Sequence, residues 1–450
     1  MKLPFQPYEI PFPPMCNALN IYLFVLLSVD SQKISTFVRD MKKYMFLLLL
    51  WANLLPAMAQ DNITNGDSVA VTPADTIPAL PWPQSLQADL DSLIAVTKLL
   101  DVSEMGLMVY DLTADSAIYQ YHHRHTLRPA STMKLLTAIA TLDRLGGSYQ
   151  FRTSLYHTGV VDSCTLKGDL YCLGGMDPRF NGDDLNAFVE GVKRLGVDSI
   201  CGSIVTDKSM KDADLLGWGW CWDDENPVLS PLLVSEKDNF AERFLKALQK
   251  AGIKVSNIEP KEGKVPNGSH IVCSRFHSMD QILMKMMKDS NNLYAESMFY
   301  QLAATQGVRP ATAKQGRNAM SKLVERLGFS PSDYVFADGS GLSLYNYLSP
   351  ELEVALLRYA WNNSNIRIHL YQSLPVAGQD GTLSKRMRRT VADGNVHAKT
   401  GTLRGVTALA GYCTAGNGHV LAFSIMNQGV MQINNGRDLQ DSICILMCQP

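Results

Sequence analysis

Two stretches of alternating apolar residues, set far apart in the chain, restrict its fold more than any other feature. MGLMVYDL (105–112) followed by SAIYQYH (116–122) reads as a β-hairpin. NVHAKTGTLRGVTALAGYCTAGNGHVLAFSIMNQ (395–428) alternates and breaks at glycines, as consecutive antiparallel strands do. Helical patterns surround and separate them: ADLDSLIAVTKLL (88–100), RPASTMKLLTAIATLDRLG (128–146), the long run 277–306 and RDLQDSICILMC (437–448). Strands at both ends with helices between require one sheet assembled from both ends of the chain. From about 151 the texture changes to short strands, turns and the helix-like GDDLNAFVEGVKRLG (182–196). The expected fold class is therefore α+β: an antiparallel sheet of about five strands covered by helices on both faces. Residues 85–155 and 273–450 build it, and 156–272 form an inserted subdomain.

Upstream of this body, Met41-Lys42-Lys43 precedes the apolar run YMFLLLLWANLL, and Ala57-Met58-Ala59 follows before Gln60. A charged start, a short apolar core and a small-x-small site make 41–59 a secretory signal peptide. About a dozen apolar residues are too few to span a bilayer. Residues 1–40 are expected to be an over-extended start with Met41 as the true initiator, and 60–84, polar and proline-containing, a linker. The expected destination is the periplasm. There cysteines such as Cys164, Cys172, Cys201 and Cys221 are free to pair, although connectivity cannot be read from spacing. Cys444 and Cys448, one helical turn apart, read as core thiols. A net charge of −2 without a basic stripe argues against nucleic acid. No metal-ligand spacing is present, so neither metal nor cofactor is expected.

The chemistry is carried by three short motifs. Ser131-Thr132-Met133-Lys134 is the one Ser-x-x-Lys in the chain, Ser290-Asn291-Asn292 the one Ser-x-Asn, and Lys399-Thr400-Gly401 the one Lys-Thr-Gly. They follow in that order, 159 residues (290 − 131) and then 109 residues (399 − 290) apart. Each alone has a plain structural reading: Ser131 or Thr132 as a helix cap, Ser290 as another, Lys399 on an ordinary strand. Together they form a reaction centre. On a helix, i and i+3 share a face, so Lys134 can reach Ser131. A serine is a poor nucleophile until a base takes its proton. Lysine serves only if burial or a second cation, here Lys399, lowers its pKa. Ser290 and Asn292 fall at the junction of two helical patterns, where both can face one cleft. Ser290 would relay protons between Lys134, Lys399 and a leaving amine, and Asn292 would bond Lys134 or substrate. Gly401 would let substrate backbone approach the edge strand. Lys399, Thr400 and Thr402 would hold a carboxylate, and the backbone N–H groups of Ser131 and Thr402 an oxyanion.

In this order the motifs resemble the penicillin-binding proteins and serine β-lactamases. More closely, the chain is similar to the low-molecular-mass D-alanyl-D-alanine carboxypeptidase/endopeptidases with a large insert after the nucleophile helix. The likeness extends over most of 85–450, through GDLYCLGGMDP (168–178), GSIVTD (202–207), GWGWCWDD (217–224), KDSNNLYAE (288–296), DGSGLS (338–343), LPVAGQDGTL (374–383) and GNVHAKTGTLRGVTALAGY (394–412). It implies a β-lactamase/transpeptidase-like fold. It also implies a periplasmic serine carboxypeptidase acting on peptidoglycan stem peptides through an acyl-serine on Ser131, and covalent capture of β-lactams. One departure stands out: where the family often continues DGSGLS with arginine, this chain has Leu344.

A β-lactamase is the nearest rival, but the Glu-x-x-Leu-Asn stretch that supplies a deacylating carboxylate in one such class is absent, as is a Tyr-x-Asn middle motif. A non-catalytic cell-wall binder on the same fold would tolerate loss of Lys134 or Lys399, and both are present. The remaining matches read as structural. DGSGLS shapes the cleft floor, GQDGT (378–382) forms a turn beside it, and Trp218, Trp220 and Trp222 form insert core or a glycan-facing wall. His397 is expected to pack on the strand face opposite Lys399.

Overall fold

The computed structural model describes residues 80–449, apart from 223, 224 and 258. The expected leader 41–59, the upstream 1–40 and all but the last five residues of the linker 60–84 lie outside them.

The principal sheet has five antiparallel strands in the order His397–Leu403, Val406–Thr414, Val420–Gln428, Glu104–Asp111 and Ser116–Tyr121. The two alternating stretches thus meet in one sheet, joined where Glu104 pairs with Gln428 and Leu107 with Ile425. Its inner strands are buried on both faces, which explains the near-continuous apolar runs. Alternation sorts their side chains. Leu107, Val109, Leu409, Phe423 and Ile425 pack against helices Gln84–Val96 and Ile433–Cys448. Met108, Tyr110, Ala408, Ala410 and Met426 face a larger helical layer on the other side. At the centre of that layer lies Asn292–Ala304, apolar nearly all round and buried nearly all round. Helices Met133–Leu145 and Pro350–Asn362 lie beside it.

The inserted segment builds two further sheets. A mixed five-stranded sheet runs Lys261–Glu262, Ile204–Asp207, Leu170–Leu173, Gln150–His157 and His270–Ser278. Its last two strands straddle the expected limits at 156 and 272, so the sheet begins at Gln150 and ends at Ser278. A smaller four-stranded sheet runs Val160–Asp162, Thr165–Lys167, Ser199–Ile200 and Lys254–Val255. Helices Gly182–Lys193 and Phe240–Lys250 close this core through Phe180, Phe188, Phe240 and Phe244. The first starts on a capping box between Asn181 and Asp184. Cys164 and Cys201 are exposed and Cys172 is buried, and none of the three forms a disulfide.

One residue of the aromatic run ties the insert to the rest. Trp220 is buried, and its Nε1 donates to Asp338 Oδ2 at 2.8 Å. Trp218 is half exposed against Tyr345 and Arg317, and Trp222 is 89% exposed. The run therefore divides into one anchor and two surface rings.

Candidate active site

The chain enters the site through Pro129 and a single 3-10 turn, Ala130–Thr132, before Met133–Leu145 begins. Thr132 occupies the cap position but makes no side-chain cap bond. Its hydroxyl instead lies 2.8 Å from the Pro129 carbonyl and 2.5 Å from Glu353 Oε1. Ser131, partly exposed, faces the cleft.

Lys134 is fully buried, and its Nζ meets three groups: Ser131 Oγ at 2.9 Å, Asn292 Oδ1 at 2.8 Å and the Ser340 carbonyl at 2.6 Å. The last two can only accept hydrogen bonds. A neutral amine has two protons to donate and one lone pair, so two acceptors leave its lone pair aimed at the one partner able to donate, Ser131. Burial drives Lys134 down to about 7, against the opposing pull of Asp338 and Glu296. Glu296, one helical turn beyond Asn292, is itself pushed up to about 8, first by burial and then by Asp338. Its Oε1 accepts from the backbone N–H groups of Gly339 and Ser340. The Glu296 carboxyl, near enough to Lys134 to act on it electrostatically, thus holds the loop whose carbonyl the lysine bonds.

Ser290 lies between helices Met279–Lys288 and Asn292–Ala304, and Asn292 opens the second, at the junction their spacing suggests. The cap is neither of them: Asn291 accepts from Tyr294 N, which leaves its two neighbours for the cleft. Ser290 adopts φ +57, a conformation a non-glycine residue takes at a cost of about 1 kcal/mol or more. Its Oγ receives Lys399 Nζ at 2.8 Å, and Lys399 also donates to the Thr400 carbonyl. Lys399 is fully buried, and desolvation, then the nearby Lys134, holds its ammonium well below the ordinary lysine range.

His397–Leu403 is an edge strand, and its Gly401 is where the nucleophile turn presses against it. A Cβ there would come within 2.5 Å of the Pro129 carbonyl and 3.2 Å of the Ala130 Cβ. The glycine is therefore demanded by the protein's own backbone, whereas the sequence suggested room for substrate. Thr400 and Thr402 line the cleft, with Thr400 Oγ1 donating to Thr382 at 2.8 Å. His397 lies on the same strand face as Lys399, since residues two apart share a face, and the expectation of opposite faces misapplied that alternation. It does pack, stacking on Tyr371 at 4.3 Å.

Ser131, Lys134 and Asn292 form one bonded set and Lys399 with Ser290 another. Both border a cleft of about 580 Å³ that also includes Thr400, Thr402, Arg386 and Arg437. DGSGLS, expected to form its floor, does not line it; the segment reaches the site through the Ser340 carbonyl bonded by Lys134, and Asp338 braces it by accepting from Gly341 N, Ser343 N, Asn346 and Trp220. GQDGT stands beside the site, with Asp380 bound by Lys288. Leu344 offers only its carbonyl, which accepts from Arg128 Nε at 2.9 Å. Three residues escaped the sequence reading. Glu296 could have been found four positions after Asn292 on one helix face, whereas Glu353 and Arg437 sit in no motif.

The profile of the D-Ala-D-Ala carboxypeptidase 3 (S13) family matches residues 86–235 and 227–449. The D-alanyl-D-alanine carboxypeptidase DacB of Haemophilus influenzae is 25% identical over 410 residues, covering 72% of this chain and 85% of its own. The D-alanyl-D-alanine carboxypeptidase of Actinomadura sp. strain R39 is 26% identical over 441 residues, covering 76% and 81%. Among solved structures, penicillin binding protein 4 (dacB) of Haemophilus influenzae superposes with a TM-score of 0.71 at 23% identity. That superposition covers 79% of this chain and 99% of that one, and it shows a shared fold. The same Haemophilus protein has also been solved in complex with a β-lactam.

Proposed function

The chain belongs to the D-Ala-D-Ala carboxypeptidase 3 (S13) family, and on that footing we propose how its residues perform a serine carboxypeptidase reaction on peptidoglycan stem peptides. Ser131 Oγ attacks the carbonyl of the penultimate D-alanine while Lys134 takes the hydroxyl proton. The backbone N–H groups of Ser131 and Thr402 receive the developing oxyanion. The tetrahedral adduct collapses, the C–N bond breaks, and the proton held by Lys134 passes through Ser290, which Lys399 holds in place, to the amine of the departing D-alanine. Water then attacks the acyl-serine and gives a proton to neutral Lys134, which hands it to Ser131 Oγ as the ester bond breaks and the shortened peptide leaves. Thr400 and Thr402 bind the substrate along the edge strand.

One observation carries this reading: a buried lysine, lowered to about 7, with its nitrogen 2.9 Å from a partly exposed serine hydroxyl. A solvated lysine would stay protonated and could not serve as base. A β-lactam, which is a cyclic acylating amide, would be opened by the same serine. Its acyl group would persist, because among the described residues no carboxylate bonds Ser131 to drive rapid deacylation. We place the enzyme in the periplasm; no described helix is long and apolar enough to cross a membrane.

The test pairs two measurements. Purified protein incubated with a fluorescent penicillin should show a stable covalent band that is absent in Ser131→Ala. An acylated peptide ending in D-Ala-D-Ala should release one D-alanine per molecule. A wild-type protein that neither forms the band nor releases D-alanine would defeat the proposal.

A further inference from the structure

A carboxylate brought to Thr400 and Thr402 needs a positive charge beside it, and Lys399 is poorly placed to provide one. Its nitrogen is sealed from solvent and committed to Ser290 and the Thr400 carbonyl. The cleft holds another candidate. Arg437, in the second turn of the C-terminal helix Ile433–Cys448, donates from Nη2 to Thr402 Oγ1 at 3.3 Å. Its natural acidic neighbour is taken: Asp441, one turn on, is gripped by Arg386 through Nε at 2.8 Å and Nη2 at 2.6 Å. Among the described residues Arg437 has no ion-pair partner. Lys385 also borders the cleft, but it is exposed and bonds neither threonine.

The helix is built to carry this guanidinium to the strand. Gly436 is buried, and a Cβ there would come within 2.6 Å of Thr407 Oγ1, so only glycine lets the helix lie this close to the sheet. Gln440 fixes the approach by donating to Thr407 Oγ1 and Asn427 Oδ1, each at 3.2 Å. Arg386 adds a bond to the Arg437 carbonyl at 3.2 Å. A planar fork with free donors, held beside a threonine hydroxyl at the rim of the cleft, is a carboxylate receptor.

We propose that Arg437, with Thr402, binds the free carboxylate of the residue that leaves, so that the enzyme requires a carboxylate on the carbon bearing the scissile nitrogen. This deepens the function proposed above and rests on it. Two substrate classes meet the requirement. One is a peptide ending in a D-amino acid; the other is a cross-link whose amine belongs to an amino-acid centre with its carboxylate unblocked. A cross-link through a side-chain amine with no adjacent carboxylate, or with that carboxylate amidated, does not.

The test compares an N-acylated peptide ending in D-Ala-D-Ala with the same peptide amidated at its C-terminus. Wild-type protein should prefer the acid. Arg437→Gln should lower kcat/KM on the acid by about 10- to 100-fold and leave the amide within about twofold. Arg437→Lys, which keeps the charge and loses the fork, should retain an intermediate preference. Binding of the two peptides to Ser131→Ala reads the same discrimination without turnover, so it remains informative if the carboxypeptidase reading itself fails. An unchanged acid-to-amide ratio in Arg437→Gln would overturn the proposal, as would equal losses on both peptides in both variants.

Discussion

Thr132 Oγ1 lies 2.5 Å from Glu353 Oε1 and 2.8 Å from the Pro129 carbonyl, and one hydroxyl proton cannot serve both. Every group is satisfied when Glu353 carries a proton and donates it to Thr132, which donates onward to Pro129. Ser424 Oγ completes the chain by donating to Glu353 Oε2 at 2.8 Å. Burial, opposed by those two hydroxyls, holds the Glu353 carboxyl up at about 7. Below about pH 7 a neutral acid thus braces the turn that presents Ser131.

That proton makes stability depend on pH. The folded carboxyl releases it near 7 and the unfolded one near 4.5, so the stabilisation is complete below the lower value. It is lost as pH rises through the upper one, to about 3 kcal/mol. Urea unfolding at about pH 5 and about pH 8 should show wild-type stability falling more steeply than that of Glu353→Gln, whose amide cannot ionise. Glu296 adds a loss of the same sign that both proteins share. Parallel pH dependence in the two proteins would contradict the assignment.

Lys134 should set the acid limb of activity. Its neutral fraction falls about tenfold per pH unit below about 7, so the rate of acylation by penicillin should fall likewise and level off above that value. Lys134→Ala should lose about 10²- to 10⁴-fold. Lys134→Arg, which keeps the charge but cannot act as base, should be as impaired. Stopped-flow acylation kinetics distinguish a base from a mere counter-charge.

Gly401→Ala tests the backbone contact. The added methyl group meets the Pro129 carbonyl, so the turn must retreat, at a cost of about 1–3 kcal/mol. Acylation of Ser131 should slow by more than a Thr400→Ser change slows it, because only the first displaces the serine. Thermal unfolding and acylation rates measured on both variants decide it.

Trp220→Phe should lower the melting temperature, because Asp338 loses a buried donor worth about 1–2 kcal/mol. Trp222→Ala, at an 89% exposed ring, should change stability by less than about 0.5 kcal/mol. Equal effects would mean that the aromatic run acts as one unit.

Local rules made part of this site legible. Ser131 and Lys134 are three apart across a helix start, and Ser290 and Asn292 flank a cap, so spacing alone brought each pair to one place. The sheet was legible from alternation, and the large helix layer from its period. The plain alternative of Thr132 as a helix cap fails because a hydroxyl at a cap position has competitors, and here a carboxyl 221 positions away won. Arg437 was invisible for a similar reason: its significance depends on Asp441 being taken by Arg386, a matter of tertiary contacts. Gly401 carried the right residue with another cause, since a glycine in sequence does not say whose backbone comes near.

The pairing of Glu104 with Gln428 has a temporal meaning. The hydroxyl at 131 is synthesised early, while the strand that borders it and the amine at 399 emerge hundreds of residues later. A nascent chain therefore carries its serine before the strand that borders the cleft exists, and the groove is assembled only when the last strands pair with the first.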